Sequence, residues 1–193
     1  EIQMKRIGWV FILMMLVGSC STSVQQEQNN LTGSESQDWK LEVEKTLKLF
    51  GHRNWIVIAD AAYPQQSNPA IKTITVDANQ LEAVEFVNEL IENSTHVTAN
   101  IILDKEMEFV TENAAQGIED YRNDLNKLLD GKPIRKALHE EIIRELDDSA
   151  KLFNVLIIKT NLAIPYTSVF FQLECGYWDA EAEQKLRNDL SSK

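Results

Sequence analysis

Apolar residues first fall into helical register at Trp39, Val43, Leu47 and Phe50, while Lys40, Glu42, Glu44 and Lys48 take the other faces. That spacing predicts an amphipathic helix, with Asp38 as its N-cap and Gly51 as its stop. The next segment, Trp55-Ile56-Val57-Ile58-Ala59, has no polar interruption and reads as a strand covered on both faces. Pro64 and Pro69, with Ser67 and Asn68 between them, predict a loop, and residues 71–76 alternate as a second strand. Leu81, Val84, Val87, Leu90 and Ile91 line one side of another helix, followed by a strand over 98–103. Ile118, Tyr121, Leu125, Leu128 and Leu129 mark a helix that stops near Gly131-Lys132-Pro133, and Leu138, Ile142, Leu146 and Ala150 mark one more. Two strands, over 153–159 and 169–173, and a charged helix over 180–190 complete the pattern. Strands alternating with helices predict an α/β fold: a three-layer α/β/α domain around a central, mostly parallel sheet.

With 193 residues, 44% of them hydrophobic, the chain can bury one good-sized core, and one domain is expected. The net charge of -11 argues against nucleic acid as a partner, because phosphate binding needs clustered Lys and Arg. No Gly-rich phosphate loop and no paired Cys/His spacing occurs, and the three histidines form no His-x-x-x-His pair. A metal site is therefore not expected. Two cysteines make no disulfide framework, and Cys175 is expected to be a free thiol, a small hydrophobe at a strand end.

The N-terminal pattern differs from the body. Met4 is followed by Lys5, Arg6, an apolar run over 7–17 and then Gly18-Ser19-Cys20, the layout of a secretory signal. Val17-Gly18-Ser19-Cys20 resembles the bacterial lipobox, which implies that residues 1–19 are a signal peptide and that Cys20 is acylated as the mature N-terminus. An uncleaved anchor helix is the alternative; both tether the protein to a membrane, at the periplasmic or extracellular face of a bacterial cell envelope. Residues 20–37, rich in Ser, Gln and Asn, read as a flexible tether, leaving 38–193 as the single domain.

Gly51-His52, an apolar strand, Asp60-Ala61 and Pro64 resemble, in order and spacing, the pattern of the D-ribose pyranase and L-fucose mutarotase family. Asp120-Tyr121-Arg122-Asn123 is similar to the Tyr-Arg-Asn segment of fucose-type members, and Pro165-Tyr166-Thr167-Ser168 stands where the family carries Tyr-x-Asn before a strand. The resemblance runs from about Trp39 to Gly176. It implies interconversion of sugar ring forms or anomers, no cofactor, and assembly into homo-oligomeric rings with sites near subunit contacts. It also implies His52 as the catalytic acid/base, Asp60 as a sugar-binding carboxylate and Tyr166 as a ligand to a sugar hydroxyl, with Ser168 in the place of Asn. Three features depart from the family. Ser168 lacks the amide donor and acceptor of Asn. A basic residue of the family falls near Ile142 and Ile143, with His139 and Arg144 close by. The familiar members are cytoplasmic, without a lipobox.

Opening a hemiacetal removes a proton from the anomeric hydroxyl and delivers one to the ring oxygen, and a histidine titrating near neutrality can do both. Asp60, at the carboxyl end of a strand, stands where open α/β sheets bind ligands. Each residue also has a plainer role open to it. His52 could satisfy carbonyls at a helix end, Asp60 could be a turn residue, and Ser168 could be structural. His96 reads as surface or satisfied core, and His139, amid Lys136, Glu140 and Glu141, as part of a solvated helix face, with a place facing the site as the alternative. The function expected is a lipid-anchored monosaccharide mutarotase or pyranase-like isomerase. A catalytically silent sugar-binding envelope lipoprotein is the alternative.

Overall fold

The computed structural model describes residues 38–192. The expected signal segment, Cys20 and the tether lie outside the described residues. Residues 38–49 form helix α1, followed by β1 (Trp55–Ala59), β2 (Ile71–Thr75), α2 (Gln80–Glu92), β3 (Val97–Asp104), α3 (Ile118–Leu128), β4 (Ile134–Ala137), α4 (His139–Ser149), β5 (Val155–Lys159), β6 (Val169–Cys175) and α5 (Ala180–Ser191). The strands make one six-stranded sheet in the order β2-β5-β1-β6-β3-β4. β1, β2 and β5 pair in parallel, as do β3 and β4, and β6 runs antiparallel to both its neighbours, β1 and β3. The sheet is thus mostly parallel, as expected, with one reversed strand inside it.

The uninterrupted apolar run of β1 follows from its central place. Ile56 and Ile58 face a core shared with Val43 and Leu47 of α1, Val84 and Val87 of α2, and Leu125 of α3. Trp55, Val57 and Ala59 face the other side, against Ile142 and Leu146 of α4. Helices therefore cover both faces, three on one and one on the other. Each large side chain sunk into these cores contributes about 1.5–3 kcal/mol. The Trp55 indole is fully buried and donates its N–H to Ser149 Oγ at 3.1 Å, so α4 is tied to β1 by a polar contact as well.

Strand and helix positions follow the apolar pattern closely, with ends shifted by a residue or two. One strand is absent from that pattern: β4, whose Ile134-Arg135-Lys136-Ala137 sits at the sheet edge with both basic side chains exposed. Short, charged strands are typical of sheet edges, and they carry little alternation to read. α5 has no buried residue. Among the described residues, no helix is long and apolar enough to cross a membrane.

Candidate functional site

Because only β6 is reversed, the carboxyl ends of β1, β3, β4 and β5 meet the amino end of β6 along one rim of the sheet. Asp60 follows β1 directly, Asp104 closes β3 and Ser168 precedes β6. The register pairs Val169 with both Ile58 and Leu103, so Ser168, buried to 2% exposure, lies between the ends of β1 and β3.

The edge strand delivers the next group. β4 pairs Ala137 with Asp104, the chain turns at Leu138, and α4 opens at His139, whose Nδ1 lies 3.1 Å from Asp104 Oδ1. Leu138 has no side chain to cap this helix. Glu106, in the 3-10 turn Lys105–Glu108 after β3, does so instead, its two carboxylate oxygens accepting from the His139 backbone N–H at 3.1 Å each. The Tyr166 ring packs edge-on against the His139 ring, centroids 5.9 Å apart.

Electrostatics set this cluster apart. Asp104 is 1% exposed, its Oδ2 has no hydrogen-bond partner among the described residues, and burial raises its carboxyl above the usual aspartate range while the hydrogen bond from His139 pulls the other way. His139, with 31% of its side chain exposed, is held protonated to higher pH than an ordinary histidine, chiefly by its hydrogen bond to Asp104. The charge of Asp60 is felt at Asp104, Tyr63 and Tyr121. Burial pushes the Tyr63 hydroxyl up to about 12, so it stays a neutral phenol at the pH of the cell. Lys159, at the end of β5, donates to the Tyr63 carbonyl at 2.8 Å.

A buried hydrogen-bond network shapes the rim from the opposite face. Gln80, the first residue of α2 and 2% exposed, donates to the Thr167 carbonyl at 2.5 Å and to the Tyr121 hydroxyl at 3.0 Å, and accepts from Thr160 Oγ1 at 2.8 Å. Tyr121 in turn donates to the same Thr167 carbonyl at 2.8 Å. These bonds hold the loop that carries Tyr166, whose φ of 59° lies in the left-handed region that costs a non-glycine residue about 1–2 kcal/mol. Next to Tyr121, Arg122 donates through Nη2 to the carbonyls of Met107 and Val110, bracing the turn that carries Glu106.

Of the residues singled out in the sequence, the rim brings together Asp60, Tyr166 and Ser168. Asp60 also serves its own turn, with Oδ1 accepting from the Ala62 N–H at 2.8 Å. His52 is elsewhere. It precedes β1, so the five residues of that strand, at about 3.3 Å each, separate it from Asp60 by some 16 Å or more. There its Nδ1 lies 2.6 Å from Glu174 Oε2, near the end of β6, and its Nε2 accepts from Arg53 Nε at 3.1 Å. The carbonyls at the end of α1 are met by a different histidine: His96 Nε2 lies 3.0 Å from Leu47 O and 3.2 Å from Phe50 O. That ring is half-buried and hydrogen-bonded through both nitrogens, Nδ1 lying 2.8 Å from Ser94 Oγ.

One expectation needs correcting. His139 is not on a solvated helix face; it opens α4 at the rim. Ile142, near which the family's basic residue falls, is fully buried against the sheet and supplies no charge to the rim, as expected. Asp104, Glu106 and Gln80 were not singled out at all. A charged residue ending an apolar run, as Asp104 does, was the one signal available. Among the described residues no group of His, Cys, Asp and Glu is arranged to hold a metal ion, and Cys175 is a free thiol at the end of β6.

Comparison with known proteins places this architecture. The Bacillus subtilis RbsD structure, complexed with D-ribose, is similar with a TM-score of 0.50 and 20% identity over 69% of this chain and 91% of that one. The Streptococcus pneumoniae fucose mutarotase, in complex with L-fucose, is similar with a TM-score of 0.45 and 24% identity over 67% and 89% of the two chains. No curated protein sequence matches the chain significantly. The model of the RbsD / FucU transport protein family matches residues 40–176, from α1 through the residue after β6, and this chain belongs to that family.

Proposed function

We propose that the protein is a cofactor-independent monosaccharide isomerase of the mutarotase or pyranase type. Asp60, Tyr166 and Ser168 hold the sugar at the rim, and His52 serves as acid/base. The observation that carries this reading is the convergence of Asp60, Ser168, Tyr166 and His139 at the carboxyl ends of the parallel strands, in a member of the RbsD/FucU family. The family's Bacillus subtilis RbsD was captured with D-ribose, which supports a small monosaccharide as ligand. At such a rim, carboxylate, phenol and hydroxyl groups accept and donate to sugar hydroxyls, and the Tyr166 ring offers an apolar face to the sugar carbons.

His52 cannot reach the rim of its own chain across β1. The proposal therefore includes a homo-oligomer in which His52 of one copy faces the rim of the next. Such a contact is heterologous, joining two different patches, and repeated heterologous contacts close into a ring. The N-terminal pattern adds a lipid anchor at Cys20, with the domain on the periplasmic or extracellular face. Fatty-acid labelling that persists on Cys20→Ser would remove this part of the proposal.

NMR exchange spectroscopy on ribose, fucose and galactose, with residues 38–193 as catalyst, tests the reaction. Anomer or ring-form exchange should exceed that in buffer, and His52→Ala should abolish most of the excess. His52→Ala and Asp60→Asn proteins, each inactive alone, should recover activity partly when mixed and reassembled, since some contacts then pair an intact His52 with an intact Asp60. No recovery on mixing, with both variants folded, would rule out the shared site. Sugar binding without accelerated exchange would favour the catalytically silent reading, to which the short Ser168 hydroxyl lends support.

A further inference from the structure

We infer that Asp104 is a positioning residue: its buried carboxylate fixes the His139 imidazole with the proton on Nδ1, leaving Nε2 as the proton-accepting atom of the rim. The inference rests on the proposed sugar site for its purpose, but its geometry stands apart from that reading.

Three observations carry it. First, Asp104 Oδ1 lies 3.1 Å from Nδ1, and a carboxylate accepts only, so the ring must donate from that nitrogen. Second, the arrangement is costly. Asp104 is 1% exposed, and its Oδ2 has no partner among the described residues. A buried carboxylate with one oxygen unmatched destabilises the fold unless its partner carries compensating charge, so a role in packing alone is a poor reason for it. Third, both residues are held independently. Asp104 is fixed by the β3–β4 register, and His139 by the Glu106 carboxylate on its backbone N–H and by the Tyr166 ring.

The charged groups facing His139 are Asp104 from β3, Glu106 from the 3-10 turn and Glu140 from its own helix, all negative. All three favour the imidazolium. When neutral, His139 accepts a hydroxyl proton at Nε2. When cationic, it donates from the same atom while Asp104 neutralises the ring. One imidazole so held offers the sugar an acceptor above its titration midpoint and a donor below it.

The test reads the ring directly, by 15N NMR of the imidazoles in the folded protein, with the His139 resonance assigned by its loss in His139→Gln. The wild-type ring should show the Nδ1–H tautomer when neutral and titrate above the ordinary 6.5. In Asp104→Asn the midpoint should fall, and the tautomer should shift toward the Nε2–H form that dominates in free imidazoles. Where the sugar reaction is active, its pH profile should move with that midpoint. Asp104→Glu should keep the raised midpoint if the longer carboxylate still reaches Nδ1. If Asp104→Asn does not fold, the wild-type ring alone decides: an ordinary midpoint and an Nε2–H tautomer would overturn the inference. Unchanged tautomer and midpoint in a folded Asp104→Asn protein would also overturn it. Because the ring is read without any sugar, failure of the isomerase reading leaves this result interpretable.

Discussion

Gln80 offers a sharp test of how much the buried network holds the rim in place. Gln80→Glu keeps the shape of the side chain and opens no cavity, but it replaces the NH2 that now donates to Thr167 O and to the Tyr121 hydroxyl. As a carboxylate it would set one oxygen against the Thr167 carbonyl at a position now 2.5 Å away. It can escape by taking up a proton and donating it to that carbonyl, as the amide does now. The cost of that proton bounds the damage. At about 1.36 kcal/mol per pH unit and an ordinary glutamate value of about 4.3, holding the acid form at pH 7 costs about 3.7 kcal/mol. At pH 4 it costs a few tenths. The sign is fixed: the introduced carboxyl has a raised folded-state value, so the penalty is nearly absent below about pH 4 and grows as pH rises through the unfolded-state value. Urea unfolding at matched pH is the assay, with wild type as reference. The variant should fall within about 1 kcal/mol of wild type near pH 4, where the acid O–H replaces one of the two amide donations, and lose about 2–4 kcal/mol more at pH 7, a further midpoint drop of about 1–2 M for a urea slope of about 2 kcal/mol per M. Equal stability at pH 7 would mean that Gln80 is not sealed from water and that the network does not carry the loop.

Two further outcomes follow from close contacts. A Cβ on Gly176 would meet the Val97 backbone nitrogen at 2.9 Å and its carbonyl carbon and oxygen at 3.0 Å, where neither strand can yield cheaply. Gly176→Ala should therefore cost about 1–3 kcal/mol, read as a lowered Tm, and an unchanged Tm would show that the end of β6 shifts freely. Arg122→Ala removes both bonds that brace Met107 and Val110, so amide exchange over residues 106–110 should quicken while that of β1 stays slow. Uniform exchange across both regions would place the brace elsewhere.

The sheet was legible in the sequence because its central strands are buried on both faces and write continuous apolar runs, as at 55–59 and 155–158. β4 was not, since an edge strand of four residues with two exposed basic side chains leaves no period to detect. The site divided along the same line. Asp60, Tyr166 and Ser168 stand beside strand ends that the pattern itself marks, so their places followed. His139 and Asp104 lie 35 residues apart and meet only through the β3–β4 register. Local composition, with Lys136, Glu140 and Glu141 around it, favours a solvated face for His139 over one turned to the site. The proximity of His52 and Asp60 in sequence misleads in the opposite way. An intervening strand is the most extended path a chain can take, and it moves two neighbouring motifs to opposite edges of the molecule.

The reversed strand has a consequence for how the molecule can change. β6 starts beside Ser168 at the rim and ends at Cys175, just past Glu174 against His52, seven residues that span about 24 Å at about 3.4 Å each. Together with β1 it acts as a fixed gauge between the two polar clusters. Adding or removing one residue in β6 would turn core residues such as Phe170 or Phe171 to the wrong face as well as altering the gauge. The loop 64–70 and the segment 160–168 can vary in length and sequence at far lower cost. Changes in ligand preference are therefore open to this chain through its loops, while the distance from one cluster to the other stays set by the sheet.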